Sequence, residues 1–63
     1  MKIKRKSPLT GEVNVRDIDV TDEEYLAWES GKMIQDAMPR ATADDREFIL
    51  SGYTPEDWKE IFG

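Results

Sequence analysis

Val13-Asn14-Val15-Arg16-Asp17-Ile18-Asp19-Val20-Thr21-Asp22-Glu23-Glu24-Tyr25 is the stretch in which the chain changes its period, and that change decides the fold. Val13 and Val15 alternate with polar residues, the two-residue period of a strand. Ile18 and Val20 also alternate, but on the opposite parity. A strand cannot move its apolar residues to the other face without an irregularity, so a bulge or bend is expected near Arg16-Asp17. Thr21-Asp22-Glu23-Glu24 then announces a helix. Thr at an N-cap accepts a hydrogen bond from an orphan N–H of the first turn, and Glu24 three residues on can reach back to complete a capping box. Val20 before the cap and Tyr25 beyond it have the spacing of a hydrophobic staple.

Toward the N-terminus the pattern completes a β-hairpin over residues 1–20. Strand one is expected over Lys2 to Lys6 and strand two over Glu12 to Val20. Ser7-Pro8-Leu9-Thr10-Gly11 lies between them, with Pro presetting φ and Gly accepting positive φ. A two-stranded hairpin is not stable alone, so one of its faces must pack against something. Its two open edges invite pairing with a second copy, and a homo-oligomer is expected.

Toward the C-terminus the helix-start signature recurs as Thr42-Ala43-Asp44-Asp45 and Thr54-Pro55-Glu56-Asp57. Pro55 falls at the first helical position, where its missing N–H costs nothing. Tyr53 and Trp58 form a second staple. Helices are expected over Asp22 to Ser30 with Gly31 as the stop, Met33 to Met38 before Pro39, Ala43 to Ser51 before Gly52, and Pro55 to Phe62. Trp58, Ile61 and Phe62 share one helical face, as do Ile34, Ala37 and Met38. The expected fold class is α+β: one domain over 1–63, its N-terminal β-hairpin followed by a helical part over 21–62, with three to four short helices packed on one face.

Composition narrows the function. With 63 residues there is room for one small core, and marginal stability is the rule at this size. The chain has no Cys and no His, which excludes disulfides and thiolate zinc sites and removes the commonest general base and metal ligand. No Gly-rich phosphate loop and no twelve-residue calcium loop is present. The acid pairs Glu23-Glu24 and Asp44-Asp45 have the form of a cation holder, but they stand where helix starts favour acids. No catalytic residue, metal or cofactor is therefore assigned, and the protein is not expected to be an enzyme. No apolar run has the length of a membrane span, so no membrane partner is expected.

The net charge of −5 divides unevenly. Residues 1–16 carry five basic side chains and one acid, whereas residues 17–63 carry four basic side chains and thirteen acids. The acidic part could imitate the phosphates of DNA on another protein. Seven of the fourteen acids, however, sit in the three helix starts, where capping already places them. Nucleic acid is not expected as a partner.

Two candidate sites remain. The first is a protein contact. Six aromatics are more than so small a body can bury completely, and Trp is a frequent interface anchor. Trp28, Trp58, Tyr53 and the adaptable Met33 are its residues, joined by the acidic helix starts. The second, in the alternative reading, is a ligand site in which an oligomer sequesters a phosphate-bearing ligand such as a nucleotide through Lys2, Lys4, Lys6 and Arg16. The three lysines share one face of strand one, opposite Ile3. Lysines on a strand also serve simply to deter edge-to-edge aggregation.

Ile34-Gln35-Asp36-Ala37-Met38-Pro39, followed by Asp45-Arg46-Glu47-Phe48-Ile49-Leu50-Ser51-Gly52-Tyr53-Thr54-Pro55-Glu56-Asp57-Trp58, resembles small uncharacterised proteins of bacteriophages and prophages. They share an Ile-Gln, a Pro, an Arg-Glu-Phe and a final Gly-x-Thr-Pro-Glu-(Glu/Asp)-Trp. The resemblance covers roughly residues 21 to 62 and brings no assigned functional residue. It implies a viral or mobile-element setting in the cytoplasm of a bacterial host. It also implies an accessory role: binding and inhibiting a host or viral protein, with evasion of host defence as the context.

Overall fold

A computed structural model describes residues 1–63. The fold is α+β: an antiparallel hairpin of β1 (Lys2–Lys6) and β2 (Val13–Asp17) precedes four helices, α1 (Asp22–Glu29), α2 (Ile34–Ala37), α3 (Ala43–Ser51) and α4 (Pro55–Phe62).

The hairpin ladder is regular. Lys2 lies opposite Asp17, Ile3 opposite Arg16, Lys4 opposite Val15, Arg5 opposite Asn14 and Lys6 opposite Val13. The irregularity expected at Arg16-Asp17 falls later, because β2 ends at Asp17 instead of continuing to Val20. The chain bends at Asp19, where the Val20 N–H donates to the Ile18 carbonyl at 2.8 Å. The change of parity is thus made outside the ladder, at no cost in paired backbone. Ile18 and Val20 are buried, whereas Val13 and Val15 are 58% and 55% exposed. The apolar residues of β2 itself do not face the helices.

Eight residues form the core: Ile3 from β1, Ile18 and Val20 from the bend, Ala37 from α2, Met38 and Ala41 from the connection after it, and Phe48 and Ile49 from α3. Met1, Tyr25, Trp28 and Ile34 pack around them. Full burial of a side chain such as Phe48 contributes about 1.5–3 kcal/mol, so α3 carries much of what holds the body together. Arg16 lies over the Phe48 ring, 5.8 Å from its centroid, and closes that side of the core with a cation–π contact.

The helix starts behave as the Thr-x-acid-acid pattern requires, with one informative exception. Thr21 and Glu24 complete a capping box, and so do Thr54 and Asp57. At α3 the Thr42 hydroxyl accepts from the Asp45 N–H, but the Asp45 carboxylate does not reach back. It accepts instead from Arg16 of β2, at 3.0 and 3.2 Å. The acid at this position therefore reaches back to its cap in α1 and α4, whereas in α3 it leaves the cap to tie the helix to β2. Arg40 makes a comparable tie. Its guanidinium donates to both Glu24 oxygens, at 2.6 and 3.2 Å, and lies 3.3 Å from Asp19. The Thr21 N–H and then Arg40 hold the Glu24 carboxyl below the usual carboxylate range.

Candidate protein-contact site

Gly52, Thr54 and Asp57 position the aromatic end of the molecule. Gly52 ends α3 in the left-handed region, at φ 87°, and passes so close to β1 that a Cβ there would stand 2.5 Å from the Lys6 carbonyl oxygen. Only glycine meets both demands. Two residues later the Thr54–Asp57 box begins α4.

Asp57 is buried, and it is the only buried residue of α4. Its Oδ2 accepts from the Ser7 hydroxyl at 2.7 Å and from the Thr54 N–H at 3.1 Å. Ser7 opens the hairpin turn, and its own oxygen accepts from the N–H groups of Leu9 and Thr10. One buried hydroxyl thus shapes the turn and fastens α4 to it across fifty residues of chain. Ser7 first, and Thr54 second, hold the Asp57 carboxyl below the usual carboxylate range, because both donate to its charged form.

With α4 fixed in this way, its apolar face turns away from the core. Tyr53 meets Trp58 with ring centroids 5.1 Å apart, which realises the staple. Trp58 in turn lies nearly parallel to Phe62, at 5.2 Å and 11°. The three rings make a continuous ladder. Tyr53 and Trp58 are half-buried, but Phe62 is 75% exposed and Ile61 is exposed beside it. The i, i+4 spacing of Trp58 and Phe62 predicts their contact. It does not reveal that Phe62 and Ile61 face solvent, and neither was named from the sequence as a candidate contact residue.

Trp28 belongs to a different cluster. It packs edge-on against Tyr25, at 5.5 Å and 68°, and both rings lean on the core. Met33, which precedes α2, is 61% exposed. The four residues named from sequence therefore divide: Tyr53 and Trp58 pack together, whereas Trp28 packs edge-on against Tyr25 instead.

The cations of the hairpin divide as well. Lys2, Lys4 and Lys6 are exposed on the open face of the sheet with Val13, Val15 and Asp17, and none of the three forms an ion pair. Arg16 is on the opposite face, held by Asp45, so the four do not make one comb.

The fold encloses no cavity, and no three acidic side chains stand close enough together to hold a metal ion. No helix is long and apolar enough to cross a membrane. No family model, curated protein or solved structure matches this chain.

Proposed function

We propose that this chain is a non-enzymatic protein–protein interaction module, a phage-derived accessory protein that binds and inhibits a component of the bacterial host in its cytoplasm. The observation that carries this reading is the Tyr53–Trp58–Phe62 ladder, a continuous aromatic surface running from the residue before the α4 cap to the end of the helix and outside the apolar core. Aromatic side chains in mutual contact bury much area on binding, the property of interface anchors. Glu56 and Glu60 outnumber Lys59 among the exposed charges of the same helix, so the fitting partner has an apolar groove with a mainly basic rim. The phage setting is supported by the resemblance of residues 34–39 and 45–58 described above.

The test is affinity purification from a bacterial host expressing the tagged protein, with the captured protein identified and its binding repeated with purified components. The double variant Trp58→Ala/Phe62→Ala should lose the partner while retaining its helical circular dichroism. A partner held equally well by the folded double variant overturns the site, and absence of any stoichiometric partner overturns the function.

A second reading is favoured by the three unpaired lysines. An oligomer presenting Lys2, Lys4 and Lys6 in several copies would sequester a phosphate-bearing ligand such as a nucleotide. Its affinity would fall steeply with salt. Nucleotide titration of Lys4→Glu/Lys6→Glu against the parent chain decides it: unchanged binding removes this reading.

A further inference from the structure

The two edges of the hairpin are chemically unlike. Bonds from Ser7 N–H to Glu12 carbonyl and from Ile18 N–H to Met1 carbonyl flank the ladder and set its alternation. With the register of the strands, they make Ile3–Arg16 and Arg5–Asn14 the hydrogen-bonded pairs. The backbone groups of Lys2, Lys4 and Lys6 therefore point out from one edge, and those of Val13, Val15 and Asp17 point out from the other. The β1 edge is approached by Gly52 at Lys6 and carries three lysines. Pairing it with another copy of itself about Lys4 would set Lys4 against Lys4 and Lys2 against Lys6. The β2 edge carries exposed Val13 and Val15 and no cation among its outward-pointing residues.

We propose that β2 is a self-association edge, pairing antiparallel with β2 of a second copy about a two-fold axis at Asn14, so that two hairpins form one four-stranded sheet. This proposal is independent of the partner reading above. Self-complementarity selects the occupant and the register. About Asn14, Val13 of each copy meets Val15 of the other, two cross-strand pairs of β-branched residues on the open face. Glu12 of each copy meets Arg16 of the other on the helix-bearing face, two pairs of opposite charge. Shifting the axis by one residue to Val15 sets Val13 against Asp17 and loses both matches. Free outward donors and acceptors on β2 become paired, which removes an exposed edge from each copy. A consequence is that the two lysine rows flank a central stripe of four valines on one continuous face.

The chain contains no Cys, so one introduced thiol reads the register directly. Asn14 would face its own copy as a non-hydrogen-bonded pair, with Cα atoms about 4.5 Å apart, within the span of a disulfide. Asn14→Cys should give a covalent dimer under mild oxidation, while Val15→Cys and Lys4→Cys remain mainly uncrosslinked. Sedimentation should show a concentration-dependent dimer for the unmodified chain. Its dissociation constant should rise by about tenfold or more in Glu12→Lys, where two attractive pairs become repulsive. All four substituted side chains lie on the hairpin outside the eight-residue core, and circular dichroism verifies that each variant is folded. A chain that stays monomeric up to about 1 mM, or one that crosslinks best at Lys4→Cys or Val15→Cys, overturns the proposal.

Discussion

Helices α3 and α4 begin with the same four-residue device and are nearly the same length, nine and eight residues, yet they do opposite work. α3 buries Phe48 and Ile49 completely. α4 buries only Asp57, a charged residue, and sends Trp58, Ile61 and Phe62 to the surface or its margin. The difference teaches that a cap determines where a helix starts and says nothing about which face is covered. α3 is held by apolar burial. α4 is held by the Ser7–Asp57 bond, by its cap and by the close passage of Gly52 along β1.

The contrast can be broken most forcefully at two phenylalanines. Phe48→Ala should cost about 3–5 kcal/mol, through lost transfer energy and the cavity it leaves. In a domain of this size that is a large part of the total stability. Phe62→Ala should change stability by no more than about 0.5 kcal/mol, because most of its ring is already in water. Urea denaturation of the two variants measures both, and equal losses would place α4 in the core. Next in size is Gly52→Ala. A left-handed backbone costs a side-chain-bearing residue about 1–2 kcal/mol, and the Cβ must in addition displace the Lys6 carbonyl. The loss should exceed 2 kcal/mol in the same assay, roughly the sum of strain and contact. Ser7→Ala should be milder, about 1–2 kcal/mol, since it deprives two turn N–H groups of their acceptor and Asp57 of a donor. Its near-ultraviolet circular dichroism should lose signal from the Tyr53–Trp58–Phe62 ladder before the rest of the fold melts.

The smallest effect is a pH dependence. The carboxyl of Asp57 is lowered in the folded state, so its stabilisation is complete above the carboxylate value of the unfolded chain. It is lost as pH falls through the lower, folded value. The ladder signal should therefore weaken in acid, below the usual carboxylate range. Asp57→Asn keeps an acceptor oxygen but cannot titrate, and should flatten this component of the acid response. An undiminished acid transition in that variant would assign it to other carboxylates, Glu24 first among them.

Much of the architecture was legible in the chain because it is local. Each Thr reads three residues ahead, each staple reads five, and the Pro8–Gly11 segment reads only itself. Such short-range chemistry locates element boundaries within a residue or two, as at α1 and α4. The candidate site was legible in its parts only: Tyr53 and Trp58 meet as their spacing requires, but Trp28 joins another cluster and Phe62 carries the exposure. Nor could spacing foresee that Asp45 would leave its cap for Arg16, or that Val13 and Val15 would be left outside the core.

The α+β order of elements, the helix starts, the aromatic staple and the lysine row follow from the order of residues along the chain, through backbone sterics and hydrogen bonds between near neighbours. Which faces are covered is settled by the packing of the elements on one another. That choice depends on contacts such as Ser7 with Asp57 and Arg16 with Asp45, made across long stretches of chain. The physical reason is that burial is a property of the assembled body: a residue's period assigns it to a face, but only the packing of the other elements determines whether that face meets protein or water.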